Sequence, residues 1–192
     1  MDFAQLVRAT RTVRRYRQSE RLGLPFLRHL VDLGRLSASG GNKQPLKYVL
    51  VETPEACAKL FPLVAWAAAL KDWGGPAEGE RPAAYIILLL DKSVSASAGV
   101  DHGISAQTMA LAAREQGVGA CMMGSIQRPK IKEAFGIGEA FDVLLVLALG
   151  KDAETVVLDP MPASGNTNYW RDEKSVHHVP KRLLDEVIVS SH

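Results

Sequence analysis

Ser37-Ala38-Ser39-Gly40-Gly41-Asn42-Lys43-Gln44-Pro45-Leu46 joins an amphipathic segment, Pro25 to Leu36, to an apolar strand-like run, Leu46 to Val51. It is dense in small residues, paired glycines and side-chain amides. Gly40 and Gly41 open backbone conformations closed to other residues and let a ligand approach the main chain. Ser39, Asn42 and Gln44 can each donate and accept hydrogen bonds, which suits a planar heterocycle edged with carbonyls and N–H groups. A plain polar loop of turn residues has the same composition, so the loop alone does not choose between the two. The segments on either side of it carry the rest of the argument.

Downstream, Leu46 to Val51 reads as a strand. Pro54 opens a helix carrying Ala56, Cys57, Leu60 and Phe61; Pro62 interrupts it, and Leu63 to Lys71 reads as an alanine-rich continuation with Trp66. Asp72 to Pro82 is a loop by its glycine and proline content, with Trp73 either roofing a pocket or plugging a surface gap. Ala83 to Leu90 is an unbroken apolar run, typical of a strand buried on both faces. Asp101 to Gln116 forms the longest clear helix, its acid placed where the helix dipole favours it. Its small and apolar residues predict a buried central helix that also permits close packing against a second subunit. Gly117-Val118-Gly119 ends it. Ala120 to Ser125 follows with Met122, Met123 and Gly124, the methionines reading as core filler or as cofactor contacts. Pro129 to Phe135 is a short helix and Asp142 to Gly150 holds a buried strand. From Lys151 the pattern loosens into a polar arm with Trp170 and His177-His178, closing on an apolar element from Leu183 to Val189.

Upstream, Asp2 to Arg8 reads as a short helix and Arg11-Thr12-Val13-Arg14-Arg15-Tyr16 as its extended exit. Guanidinium groups and a threonine hydroxyl in such a run can clasp a phosphate through charge-assisted bonds. The clustered arginines could also attract nucleic acid. The net charge of only +2, the lack of aromatic interleaving and the absence of any nucleic-acid module argue against it.

The 192 residues and 47 % apolar content bound one domain with a sizeable core. No uninterrupted apolar run reaches membrane-span length, and the first residues lack a signal-peptide core. Cys57 and Cys121 lie far apart and form no CxxC pair, which fits a reducing compartment and no zinc site. The expectation is a soluble, cytoplasmic chain with no membrane partner. His177 and His178 are adjacent, so on a strand they point to opposite faces and cannot share a metal. No GxSxG elbow, HExxH, Walker loop or GxGxxG fingerprint appears, so an enzyme built on this chain draws its reactive group from a bound cofactor.

These elements resemble the nitroreductase family of flavoproteins. Arg11 to Tyr16 looks like its opening R-[ST]-x-R-x-[FY] pattern, with Thr10 where a further arginine is usual. Ser37 to Leu46 resembles its A-P-S-x-x-N-x-Q-P-W loop, with Ala38 in place of proline and Leu46 in place of tryptophan. Gly103 to Gly124 resembles the family's buried helix followed by G-[LV]-G-x-x-x-x-G, and Pro180-Lys181-Arg182-Leu183 its basic tail motif. The resemblance implies an α+β fold with a central, mostly antiparallel sheet flanked by helices. Residues 1–192 would be a single FMN-binding domain, about 151–192 forming an extended arm on the partner of an interlocked homodimer. Arg11, Thr12, Arg14 and Arg15 would approach the FMN phosphate and ribityl chain, and Lys181 and Arg182 would add charge there. Ser39, Gly40, Asn42 and Gln44 would lie by the isoalloxazine ring at the dimer interface, and Met122, Met123 and Gly124 would bring backbone donors to its edge. No side chain is expected to be catalytic in itself. The implied activity is ping-pong hydride transfer from NADH or NADPH to flavin, then to a small-molecule acceptor such as a nitroaromatic or quinone. Flavin cleavage, dehalogenation and a non-catalytic flavin-binding role remain as alternatives on the same fold.

Overall fold

A computed structural model describes residues 1–192. Its centre is a four-stranded antiparallel sheet in the order β1-β2-β4-β3, with β1 Leu46–Val51, β2 Ala84–Asp91, β3 Gly119–Met123 and β4 Phe141–Gly150. The period-2 alternation of a strand explains why β2 is apolar throughout. Ala84, Ile86 and Leu88 enter the core on one face, Tyr85, Ile87 and Leu89 the core on the other. β4 divides likewise, Leu147 and Leu149 to the first face, Val146 and Ala148 to the second.

The first face is covered by α2 (Leu24–Arg35), through Leu27 and Leu30, and by α4 (Asp101–Glu115), through Ala106, Met109, Ala110 and Ala113. The second is covered by α3 (Pro54–Leu60) and α5 (Arg128–Ala134), through Cys57, Leu60 and Ile131. A Cβ on Gly34 would lie 2.8 Å from Ser105 Oγ and 3.0 Å from Met109 Cγ, so α2 and α4 pack as closely as they do because position 34 is glycine. α4 is not buried all round: Gly103, Ile104 and Gln107 face outward in the single chain.

One helix expectation fails. Residues 64–71 are irregular rather than helical, Val64 forming a lone bridge to Ile126 and Ala67 adopting φ 34°. Pro62 closes the preceding short 3-10 turn, and burial of Val64 and Trp66 overrides alanine's helix preference.

The arm after Lys151 has more structure than its composition indicates. β5 (Val156–Pro160) pairs in parallel with β7 (His177–Lys181), and β6 (Trp170–Arg171) pairs antiparallel with β7. A short α1 (Phe3–Ala9) opens the chain, and α6 (Leu184–Val187) nearly closes it, with Leu183, Leu184, Val187, Ile188 and Val189 exposed.

Candidate functional site

The arginine segment docks in extended form against the open edge of β3 through a single isolated bridge. α1 starts in a reciprocal cap, Gln5 N donating to Asp2 Oδ1 at 2.8 Å and Asp2 N to Gln5 Oε1 at 3.0 Å. The chain then leaves extended, as its β-branched pair Thr12-Val13 favours. Thr12 bridges Ala120 in parallel, and Val13 N donates to Ala120 O at 3.0 Å. Val13 and Tyr16 turn inward and are buried, which sends the intervening arginines outward. A Cβ on Gly119 would collide with the Asp152 carboxylate and lie 2.9 Å from Val13 Cβ, so glycine there is what lets the segment dock.

One carboxylate holds the segment. Glu154 Oε1 accepts from the backbone N–H of both Arg14 and Arg15, the latter at 3.2 Å. Its Oε2 takes Arg171 Nη2 at 2.9 Å, and only 1 % of the Glu154 side chain is exposed. The Arg14 guanidinium lies 3.2 Å from His177 Nε2 and 4.5 Å from the centroid of Tyr169. Arg15 Nε lies 3.3 Å from Glu80 Oε2. Trp73 neither roofs a cavity nor fills a gap alone: the Arg171 guanidinium stacks on it at 4.2 Å and Trp66 meets it edge-on at 6.5 Å. Burial pushes the fully enclosed His177 down to about 4, with the Arg14 charge adding to the shift, so it is a neutral imidazole at physiological pH.

Arg11 is tied only to its own helix: one Nη donates to Val7 O at 2.8 Å, and its Nε, like those of Arg15 and Arg171, is buried with no hydrogen-bond acceptor. Thr12 beside it is exposed, as is Met122 two residues along β3 from Ala120, whereas Met123 turns into the core. The methionine pair therefore splits, one side chain to each face. Gly124 is exposed and its carbonyl accepts from Arg128 at 3.2 Å. Lys181 and Arg182 are exposed at the end of β7 and make no ion pair within the chain.

The Ser37–Leu46 loop forms a second centre, organised by Asp101 at the start of α4. Asp101 Oδ2 accepts from the Ser39 hydroxyl at 2.6 Å and Oδ1 from Gly40 N at 3.0 Å. Ser39 Oγ in turn accepts from Gln44 N at 2.9 Å, and Gln44 Nε2 reaches Asn42 Oδ1 at 3.1 Å. These bonds hold Gly41, Asn42 and Gln44 at φ 59°, 53° and 52°, with Lys43 right-handed between the last two; non-glycine residues adopt positive φ chiefly when surrounding bonds impose it. The Ser39 hydroxyl and Gly40 amide lower the pKa of their aspartate below its ordinary value. Ser39 and Gly40 thus spend their donors on Asp101 and Gln44 Nε2 also reaches Asn42 O at 3.3 Å, while the Asn42 side-chain N–H groups stay uncommitted.

Within one chain no hydrogen bond or ion pair joins the loop group to the arginine group, so the residues singled out from the sequence fall into two separate sets. Asp101 and Glu154, which organise those sets, were not singled out. An acid at a helix start is legible as a dipole partner but not as the anchor of a loop 61 residues earlier, and Glu154 lies 140 residues from Arg14. No group of three or more His, Cys, Asp or Glu side chains is assembled that could hold a metal ion. His177 faces Arg14 and Tyr169 while His178 stacks on Trp170 at 4.0 Å.

The sequence matches the model of the nitroreductase family over residues 7–151, which includes the arginine segment, the loop, α4 and the whole central sheet. The chain belongs to the nitroreductase family. A nitroreductase family protein from Clostridium difficile 630 superposes with a TM-score of 0.64 at 20 % identity, covering 80 % of this chain and 86 % of that one. A protein from Exiguobacterium sibiricum 255-15 described as a nitroreductase and solved in complex with FMN gives 0.67 at 19 % identity, covering 80 % and 90 %. An FMN-dependent nitroreductase from Clostridium difficile R20291 gives 0.64 at 19 % identity, covering 79 % and 88 %. Comparison with curated protein sequences returns no match. Family membership carries the broad class with it, an oxidoreductase. No helix is long and apolar enough to cross a membrane.

Proposed function

We propose that this nitroreductase-family chain is an FMN-dependent oxidoreductase that takes electrons from NADH or NADPH and passes them to a small-molecule acceptor. The observation that carries the reading is the extended segment docked on the edge of β3, where Arg11 keeps a buried Nε without an acceptor beside an exposed Thr12. A buried guanidinium nitrogen without a partner is costly, and a phosphate oxygen is a fitting one. The donor set fits a phosphate-bearing flavin: Arg11 and Thr12 would take the phosphate, with Lys181 and Arg182 adding charge. Arg14 and Arg15, their amides and side chains engaged by Glu154, His177 and Glu80, would shape that end of the site rather than grip the phosphate. Asn42 and Gln44, held out by the Ser39–Asp101 lock, would meet the ring edge, with Met122 and Gly124 on the β3 side and Met123 packed beneath. Bound FMN would accept a hydride from NAD(P)H and reduce an acceptor such as a nitroaromatic or quinone. N–H donors and positive charge near the ring would stabilise the reduced, anionic form electrostatically.

The separation of the two residue sets supports a homodimer in which the loop of one chain completes the site of the other. Met1, Phe3, Val7, Leu36, Val100 and Ile104 are exposed apolar residues that a second copy would cover, and the apolar tail from Leu183 would dock on the partner as part of an exchanged arm. The chain would act as one domain, and its two free, buried thiols suit a cytoplasmic location. The visible spectrum of the purified protein, before and after anaerobic NADH or NADPH, tests the reading. Flavin bands that bleach are expected. Bands that persist would favour a non-catalytic or specialised role, and a colourless protein that ignores added FMN would overturn it. Sedimentation at micromolar concentration should show twice the chain mass.

A further inference from the structure

A cavity of about 200 Å³ opens where α2, the Ser37–Leu46 loop, β1 and the start of α4 meet. Its lining is mostly polar, and those polar groups are unequal in kind. The Ser37 hydroxyl is spent on Thr108 Oγ1 at 2.8 Å and the Ser39 hydroxyl on Asp101. Asp101, the one acid in the lining, already has each oxygen occupied by a donor from the loop. The remaining groups are chiefly donors. Tyr48 and Ser105 hydroxyl oxygens lie 2.9 Å apart; two hydroxyls carry two hydrogens and one bond uses one, so an O–H is left over. Burial raises the Tyr48 phenol above its ordinary pKa, although the Ser105 contact works the other way, and it stays a neutral donor. Arg35 bonds Asp32 through Nε and one Nη, leaving its second Nη free. Lys47 alternates to the other face of β1 from Tyr48, where its ammonium lies 3.9 Å from Asp91, and it does not join this donor set.

A donor-rich, acceptor-poor cavity selects an acceptor-rich ligand. We propose that it binds a small carboxylate, whose oxygens meet Arg35 and the spare hydroxyl of the Tyr48–Ser105 pair while Ala38 and Leu46 supply an apolar wall. The volume limits the ligand to on the order of ten non-hydrogen atoms, since drug-sized ligands occupy roughly 300–1,000 Å³. The site is separate from the arginine segment; it shares Ser39 and Gln44 with the loop proposed to meet the flavin ring, whereas Arg35, Tyr48 and Ser105 lie outside that set.

Calorimetric titration of the purified full chain with benzoate, and with its neutral isostere benzamide, tests this. Benzoate is expected to bind in the millimolar range or tighter and benzamide at least about tenfold more weakly, the scale of one charge-assisted hydrogen bond. Tyr48→Phe, which keeps the ring, and Arg35→Gln should each weaken benzoate about tenfold. Lys132→Gln, on α5 across the sheet, should leave it unchanged. Should Tyr48→Phe fail to fold, Arg35→Gln still decides, because 61 % of that side chain is exposed. Equal affinity for benzoate and benzamide, wild-type affinity in the folded variants, or no binding up to about 10 mM would each overturn the proposal.

Discussion

The Ser37–Leu46 loop and the Arg11–Tyr16 segment are each held to the body by one carboxylate, in opposite electrostatic settings. Asp101 receives a hydroxyl and an amide, both neutral, and no cation touches it. Glu154 is sealed from solvent and receives two amides together with the Arg171 guanidinium, beside Arg14. Losing one hydrogen bond to a charged group costs about 1.5–3 kcal/mol, whereas stripping the partner from a buried ion pair costs about 3–5 kcal/mol. The loop is therefore an adjustable lip and the arginine segment a fixed base. A shared site needs both, because phosphate binding profits from preset charge and a ring edge must be met by groups that can shift.

Removing the buried acid should break that contrast most sharply. Glu154→Ala leaves Arg171 and two backbone amides without their acceptor, and urea unfolding should show a loss of about 3–5 kcal/mol. A loss below about 1 kcal/mol would mean the base is no firmer than the lip. Gly119→Ala comes next, because the new Cβ must displace Asp152 or lift Val13 from β3. It should cost about 1–3 kcal/mol and weaken FMN retention, read by flavin fluorescence on dilution. Unchanged retention would detach the segment from the flavin site. Asp101→Asn keeps the shape of the side chain but cannot accept on both sides, and about 1–2 kcal/mol should be lost. Hydrogen exchange at Gly40 and Gln44 should quicken, with the arginine segment unaffected. Equal losses for the two acids would erase the distinction.

The last contrast concerns pH. His177, held at about 4, is neutral in the fold while the unfolded imidazole titrates near about 6.5. Between those values the unfolded chain binds a proton that the folded chain refuses, so stability falls as pH drops from about 6.5 to about 4. His178 has the opposite sign. Burial, the largest single influence, lowers it, but the Asp159 and Asp172 carboxylates together outweigh burial and raise it. Its contribution is full below about 6.5 and is lost as pH rises through the folded value. Asp101, being lowered, contributes above about 3.9 and loses that contribution only in stronger acid. Thermal midpoints from pH 4 to 8 should therefore lose their acid slope in His177→Gln and keep it in Asp101→Asn. An acid slope that survives in His177→Gln would place the titration elsewhere.

Much of the fold was legible because each strand and helix states its own period. Val51, Leu60 and the unbroken apolar run of β2 are intelligible within a few residues of themselves. Residues 64–71 misled because alanine content speaks for a helix locally while Val64 and Trp66 answer to the core. The arm misled in the other direction: Val156-Val157-Leu158 is short, and its strand exists because β7 lies beside it. Of the site, the arginines and the loop amides were legible as donors. Which of those donors are spent was not, since Glu154, Asp101 and His177 reach them across 140, 61 and 163 positions.

The sequence by itself determined the main helices and strands up to Gly150, the two-faced burial of the central sheet and the kinds of groups available for binding, because periodicity and side-chain chemistry are local properties. Tertiary structure alone decided which of those groups are free. It closed Ser39 and Gly40 onto Asp101, closed Arg14 and Arg15 onto the arm, and left Arg11 with a buried nitrogen unanswered. A donor's availability depends on its nearest acceptor in space, and no local pattern in a sequence records that distance.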